Sequence, residues 1–150
     1  MKRFVVFICL LTLSLTAMAQ KEFINPEVLL KPSGYTHVVV SGPGKTIYIS
    51  GQVPVNANGE IVGKGELKVQ VKQVYENLKL CLAAAGATFN DVVKMNTYVV
   101  NYEPEYITTI REVRSGYLSS KNPPASTLAG VQALYHPDVM IEVEAIAIVN

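Results

Sequence analysis

The order of its secondary-structure signals predicts that this chain folds as an α+β domain, with one mixed β-sheet and two helices packed on one face of it. Two helical periodicities are separated by a β-branched stretch, and further strand-like stretches precede and follow them. Two helices on one face of a sheet would bury the apolar stripes of both helices. The 150 residues suffice for one domain with a real core, and they contain no internal repeat and no linker.

The N-terminus, residues 1–19, has the pattern of a secretory signal peptide. Lys2 and Arg3 form a positive start, residues 4–15 are an apolar run, and an Ala-Met-Ala cleavage pattern follows shortly after it. The run is shorter than the ~20 residues that span a bilayer, which argues against a membrane anchor. We therefore expect a mature domain of residues 20–150 that is periplasmic or secreted and has no membrane attachment after cleavage.

Strand signals dominate the next part of the chain. A β-branched run covers residues 37–41 and an alternating run covers residues 46–50, with a Gly-Pro-Gly turn composition at residues 42–44 between them. Further on, Asn58 and Gly59 are the residues that a tight hairpin turn needs at positive φ. We predict that this region is a meander, in which each strand pairs with the next.

Two helices with a strand between them are predicted after the meander. Over residues 66–85, apolar side chains recur at three- and four-residue steps, and Gly86 is placed to end this helix. Residues 92–100 are β-branched and predict a strand. A second apolar stripe predicts a helix over residues 104–118, and the prolines at 123–124 cannot continue it.

The closing strands are predicted over residues 127–134 and 140–149. In the last strand, odd-numbered residues point to one face, which we assign to the helices, and even-numbered residues point to the other. The even-numbered face is too apolar to be simply solvated, yet it carries Glu142 and Glu144. It is a candidate subunit interface with the carboxylates in a cleft at its edge, and a solvated rim is the alternative.

Charge and residue content disfavour several classes of function. Loss of Lys2 and Arg3 would lower the number of basic residues from 13 to 11, against 12 acidic ones, so the basic surplus of a nucleic-acid-binding protein is missing. His37 and His136 lie in separate segments without ligand spacing, so no metal site is predicted. Nothing marks a serine, a base and an orienting residue as a nucleophilic triad.

Three segments resemble motifs of the Rid (YjgF-type) family of enamine/imine deaminases. Residues 49–54, ISGQVP, resemble its SGQ-P segment, residues 122–127, NPPAST, resemble its PPAR loop, and residues 141–147, IEVEAIA, resemble its terminal IEIEAIA strand. The similarity covers nearly all of residues 23–149. It implies a chorismate-mutase-like sandwich, a homotrimer, and small-molecule clefts between subunits. It also implies hydrolysis of enamines or imines to keto acids and ammonia without a metal or organic cofactor.

The resemblance assigns roles to residues of this chain. Glu142 corresponds to the glutamate that positions or activates water. Tyr35 resembles the tyrosine that lines the cleft, and Ser50 and Gly51 would supply polar contacts to the ligand. Thr127 would offer its backbone N–H.

Ser126 departs from the family pattern. It stands where the deaminases have an arginine that clamps the substrate carboxylate, and a serine hydroxyl cannot make that bidentate, charged contact. Loss of such a pair would cost about 2–5 kcal/mol of binding. Arg111 and Arg114 on the second predicted helix are candidates to compensate, and solvation on the helix surface is the alternative.

These observations leave three functions to weigh. The first is an exported hydrolase similar to the 2-iminobutanoate/2-iminopropanoate deaminases, in which a Glu142-assisted water attacks a small imine. The second, which Ser126 favours, is a non-catalytic module that binds a small metabolite in the inter-subunit cleft. The third is a ribonuclease, a label some family members carry. The charge balance, the lack of a metal-ligand pattern and the signal peptide disfavour that third reading.

Overall fold

The computed structural model describes residues 21–149, so the predicted signal peptide lies outside the described residues. Its strands are β1 (Glu22–Ile24), β2 (Val38–Val40), β3 (Lys45–Gln52), β4 (Val92–Val100), β5 (Ala125–Val131) and β6 (Ile141–Val149), and its helices are α1 (Leu67–Ala84) and α2 (Tyr106–Arg114). A short 3-10 turn precedes β4. Neither helix of this part of the chain is long and apolar enough to cross a membrane.

A four-stranded mixed sheet lies at the centre, with the strand order β3-β6-β4-β5. β6 pairs antiparallel with both β3 and β4, and β5 pairs parallel with β4. A parallel pair needs a long crossover connection, and α2 provides it between β4 and β5. β3 and β5 therefore form opposite edges of the sheet.

The two helices pack against each other and share one hydrophobic core with a single face of the sheet, which confirms the predicted α+β arrangement. In β6 the odd-numbered residues from Ile141 to Ala147 are buried, while Glu142 and Glu144 are half-buried on the other face. Each fully buried valine or leucine contributes roughly 1.5–3 kcal/mol relative to its exposed state. That burial fixes which face of β6 meets the helices, and so it fixes where the carboxylates point.

The predictions for α1 and β4 are confirmed to within a residue at each end. Gly86 has φ +75°, and the N–H of Ala87 donates to the carbonyl of Leu82 at 2.8 Å. This is the closure that a glycine after a helix permits. α2 is shorter than predicted, because its regular part ends at Arg114 and only isolated turns continue to Leu118.

The predicted meander is wrong. β2 pairs antiparallel with β1 in a separate two-stranded sheet and makes no pair with β3. The cause is Thr36, which bridges to Ala125 and hydrogen-bonds to the carbonyls of Pro123 and Pro124. These contacts hold the chain at the β5 edge of the main sheet, whereas β3 lies at the opposite edge.

Two smaller expectations had mixed outcomes. The turn at Asn58-Gly59 is present, with Gly59 at φ +82°, but the pairing around it is one isolated bridge between Val55 and Ile61. The first closing strand, β5, spans Ala125–Val131 and so begins and ends earlier than predicted.

Candidate functional site

A β-bulge between β3 and β6 forms one group of candidate site residues. Ile49 pairs with Ala145 and Gln52 pairs with Val143, so Ser50 and Gly51 together face one residue of β6, Glu144. Bulges of this kind redirect side chains and are common next to functional sites. We call Ser50, Gly51 and Glu142 the bulge site.

Gly51 and Glu142 are in direct contact in the bulge site. A Cβ atom built on Gly51 would lie 1.7 Å from the Oε1 atom of Glu142 and 2.6 Å from its carboxyl carbon. Glycine is therefore the residue type that allows the Glu142 side chain to lie across the backbone here. The Glu142 carboxylate therefore lies beside the backbone of the bulge.

The two carboxylates of β6 differ in their hydrogen bonding. Glu144 accepts a hydrogen bond from Asn96 Nδ2 at 2.6 Å and one from Tyr98 Oη at 3.0 Å. The bond to Glu144 raises the pKa of Tyr98, and the Glu142 charge adds to the shift. Among residues 21–149, by contrast, the Glu142 carboxylate has no side-chain hydrogen-bond partner. Glu142 is therefore available to a water molecule or a ligand.

The sheet face that the helices leave uncovered contains a concavity of about 460 Å³ beside the bulge site. It is lined by residues of β3, β4 and β6: Tyr48, Ile49, Ser50, Lys94, Asn96, Glu144, Ala145 and Ile146. The Lys94 ammonium donates to Thr127 Oγ1 at 2.7 Å, so the Thr127 hydroxyl is occupied on this face. Burial lowers the pKa of Lys94, and the nearby Glu144 charge opposes that shift.

A second group of candidate residues lies at the β5 edge and faces α2. Tyr35, Arg111, Arg114 and Ser126 line a cavity of about 160 Å³, together with Ser33, Ile107 and Leu128. We call this cavity the edge pocket. It brings both predicted compensating arginines beside Ser126 within one chain.

Contacts with the start of β5 hold the Tyr35 side of the edge pocket. The Thr36 hydroxyl donates to the Pro123 carbonyl at 2.6 Å, and its N–H donates to the Pro124 carbonyl at 3.2 Å. Arg114 donates to the carbonyl of Gly34. Three contacts thus fix the segment that carries Tyr35 relative to both β5 and α2.

Within one chain the bulge site and the edge pocket cannot contact the same small molecule. In register across the sheet, Ser126 lies opposite Met95, Met95 opposite Ala145, and Ala145 opposite Ile49. Three strand spacings of ~4.8 Å separate the two edges by about 14 Å. Ser126 also shares the helix-covered face with Met95, whereas Ser50 and Glu142 lie on the uncovered face.

Sequence reasoning missed Lys94, Asn96 and Tyr98, which surround Glu144. Their signal is present in β4, where polar residues at every second position oppose buried Met95, Thr97 and Val99. This is the same alternation that identified Glu142 and Glu144 in β6.

Both histidines have backbone contacts. Nε2 of His37 lies 2.9 Å from the Leu30 carbonyl oxygen, and Nδ1 of His136 accepts from the N–H of Asp138. In residues 21–149 no three His, Cys, Asp or Glu side chains come together in a way that could hold a metal ion.

Comparison with known proteins gives consistent matches along the domain. The family model described as "Endoribonuclease L-PSP" matches residues 29–149. A RutC family protein of Pyrococcus abyssi is 40% identical over 129 residues, which are 85% of this chain and 96% of that protein. A protein of Dermatophagoides farinae named 2-iminobutanoate/2-iminopropanoate deaminase is 29% identical over 134 residues, covering 89% of this chain and all of that one.

Among solved structures, the Rid protein YyfB of Yersinia pestis has 43% sequence identity and a TM-score of 0.81. The match covers 86% of this chain and 98% of that chain. The predicted fold class is therefore confirmed over the described domain.

Proposed function

This chain belongs to the Rid family, and from that membership we propose that it is an exported hydrolase of small imines, which it converts to a carbonyl compound and ammonia. One observation carries the proposal: the half-buried Glu142 carboxylate lies against the Gly51 backbone with no side-chain partner in residues 21–149. The deaminase name of the Dermatophagoides farinae relative supports the choice of imines.

In the proposed reaction, Glu142 acts as the general base. It accepts a proton from a water molecule whose oxygen adds to the imine carbon, and the imine nitrogen takes up a second proton, from solvent, as the double bond becomes single. Glu142 then returns its proton to the nitrogen of the tetrahedral adduct. The C–N bond breaks, ammonia leaves, and the adduct hydroxyl loses its proton to solvent as the carbonyl forms, which balances the proton that the nitrogen took up. Proton transfer of this kind contributes typically 10²–10⁴-fold to a rate.

We propose that a second copy of the chain closes the site, in a homotrimer. Tyr48 is 78% exposed on the uncovered sheet face, next to half-buried Ile146 and Ile148. An apolar face of this kind is typical of a subunit interface. A neighbouring β5 edge placed against the bulge site would bring the two groups of polar residues together. Light scattering of the purified protein tests the stoichiometry, and a monomer at micromolar concentration would contradict it.

The test of the hydrolase proposal compares the two carboxylates of β6. With 2-iminopropanoate generated by an amino-acid oxidase, we expect Glu142→Gln to lower the rate of imine decay by at least about 100-fold. Glu144→Gln is the matched control, because it makes the same substitution at the next residue on the same face of β6. We expect it to lower the rate much less. A wild-type rate in Glu142→Gln would remove Glu142 from the reaction.

Export is the part of the proposal that depends on the N-terminal pattern. We expect the protein recovered from a Gram-negative host to begin at residue 20 and to fractionate with the periplasm or the medium. Intact-mass measurement of the purified protein tests the cleavage. A mass that retains the first 19 residues would contradict it.

A second candidate function is a non-catalytic binding module, which the serine at position 126 favours. In that case the wild-type protein would not accelerate imine decay, while a small ligand would still raise its melting temperature. Measuring both properties on the same preparation separates the two candidates.

A further inference from the structure

Lys94 is a half-buried lysine of β4 on the sheet face that the helices leave uncovered. Its ammonium donates to the Thr127 hydroxyl at 2.7 Å and to the Met95 carbonyl at 3.3 Å, and both of these acceptors are uncharged. Among residues 21–149, Lys94 takes part in no ion pair. The two hydrogen bonds therefore position the amine without a carboxylate in direct contact with it.

The Lys94 side chain lines the concavity of about 460 Å³ beside the bulge site. Tyr48 and Ile146 give this concavity an apolar side, and Asn96 and Glu144 give it a polar one. Burial lowers the pKa of Lys94, although the Glu144 charge opposes the shift. A lysine amine that is partly removed from water gives up its proton more readily, and the free amine is a nucleophile.

We infer that Lys94 is a covalent binding site for a short, neutral aldehyde, which it holds as a Schiff base. Lysine amines form this bond with carbonyl compounds. In its reactive form the Lys94 amine is uncharged, so the charges that remain on this part of the face are those of Glu142 and Glu144. Both would repel a ligand that carries a carboxylate of its own. The uncovered face is also the proposed subunit interface, so only a short molecule would reach the concavity in the oligomer.

Formation of the Schiff base needs no co-reactant. The free Lys94 amine adds to the carbonyl carbon, and the nitrogen loses one proton to solvent while the oxygen takes up one from solvent. In the second stage the oxygen takes up another proton, the C–O bond breaks and water leaves. The nitrogen gives up its remaining proton as the C=N bond forms. An amine and an aldehyde thus become an imine and water.

Reductive trapping with propanal tests the site in the wild-type protein. Cyanoborohydride reduces the Schiff base to a stable propyl amine, and peptide mass spectrometry then locates the modified lysines. With equimolar propanal, we expect Lys94 to be modified at least about tenfold faster than Lys72, because a positioned, desolvated amine reacts faster than a solvated one. Lys72 is the internal reference, since it is exposed on α1. Equal modification of the two lysines would overturn the inference.

Two substitutions and a second aldehyde sharpen the test. Lys94→Arg keeps the positive charge and the donor to Thr127 but removes the nucleophile, so the preferred adduct should disappear. Lys72→Arg is the matched control and should leave the Lys94 adduct unchanged. Glyoxylate is a short aldehyde with a carboxylate, and its preference for Lys94 over Lys72 should be weaker than that of propanal. A stronger preference with glyoxylate would overturn the assignment of a neutral ligand.

This inference does not rest on the proposed hydrolysis, because the trapping is measured without an imine substrate. A propyl adduct concentrated on Lys94, in a protein that does not hydrolyse imines, would leave the aldehyde site standing without the reaction. Imine hydrolysis by a protein whose Lys94 is no more reactive than Lys72 would leave the reaction standing and remove the aldehyde site.

Discussion

The bulge site and the edge pocket differ in what they supply. The bulge site has a free carboxylate on rigid, paired strands and lies on the open face of the sheet. The edge pocket has two guanidinium groups without acidic partners, and lies at the opposite edge between β5 and α2. One region presents a carboxylate without a side-chain partner among residues 21–149, and the other presents two guanidinium groups.

Within one chain, the two regions cannot contact the same small molecule. Glu142 on β6 and Ser126 on β5 lie two strand spacings apart across the sheet, about 10 Å, and on opposite faces of it. In a symmetric oligomer the β5 edge of one copy can meet the bulge of the next, and every copy then contributes to two sites. Tests of this comparison should change one region and leave the other intact.

The largest effect is expected from Gly51→Ala. The new Cβ would overlap the Glu142 carboxylate, and the flexible glutamate would move away while the backbone stays in place. Imine hydrolysis should fall by at least about 100-fold, because the displaced carboxylate could no longer take up a proton from water at the bulge. The matched control is Gly116→Ala, where the nearest atom would be 3.5 Å away. An active Gly51→Ala variant would show that Glu142 needs no contact with the bulge.

A smaller effect is expected when two impaired variants share one oligomer. If each site takes Glu142 from one copy and Arg111 from another, co-expressed Glu142→Gln and Arg111→Gln chains should regain about a quarter of the wild-type sites. The rate of imine hydrolysis by the purified mixed oligomers, compared with the rate of each variant alone, tests this prediction. No recovery in proven mixed oligomers would mean that both residues serve a site within one chain, or no common site.

How much of this was predictable depends on how local the signal is. The periodicity of α1, its end at Gly86 and the alternation of β4 lie within short windows, and each was predicted to within a residue. The pairing partner of β2 was not predicted, because its three valines could pair with any free strand edge. A hydrogen bond from Thr36 to Pro123, 87 residues further along the chain, decides it.

The candidate site follows the same rule. The position of Glu142 follows from its motif and from the alternation of β6. The placement of Ser126 and Ser50 on opposite faces depends on the strand order β3-β6-β4-β5, to which no single segment points. The clustering of Arg111 and Arg114 with Tyr35 likewise depends on how residues 33–36 cross the end of α2.

Alkaline pH should reveal how much the buried Tyr75 hydroxyl contributes to stability. Burial raises the pKa of Tyr75 to about 12, and the charge of Arg114 opposes the shift. The Tyr75 hydroxyl is buried and has no hydrogen-bond partner among residues 21–149. Because the folded-state pKa exceeds the usual value of ~10, the folded protein retains this proton longer than the unfolded chain does. The contribution of Tyr75 to the free energy of unfolding is then constant below pH 10. It falls by up to about 3 kcal/mol as the pH rises through 12.

Tyr75→Phe should remove that share of the alkaline loss while changing the free energy of unfolding at pH 7 by less than about 1 kcal/mol. Urea unfolding at pH 7 and at pH 11.5 measures both values. Burial and hydrogen bonding to Glu76 also raise the pKa of Tyr117 to about 12, so part of the loss should persist in the variant. An alkaline loss identical to that of the wild type would show that Tyr75 does not ionise in this range.

The smallest effect is expected from Thr36→Val, which removes one hydroxyl under the edge pocket. Thr36 is 2% exposed, and valine has nearly the same shape but cannot donate to the Pro123 carbonyl. Loss of this bond should lower the free energy of unfolding by about 1 kcal/mol. Thr108→Val, at an exposed position of α2, is the control. Because the backbone bond to Pro124 remains, hydrolysis of an uncharged imine at the bulge site should not change. A parallel loss there would mean that the two regions are coupled through the sheet.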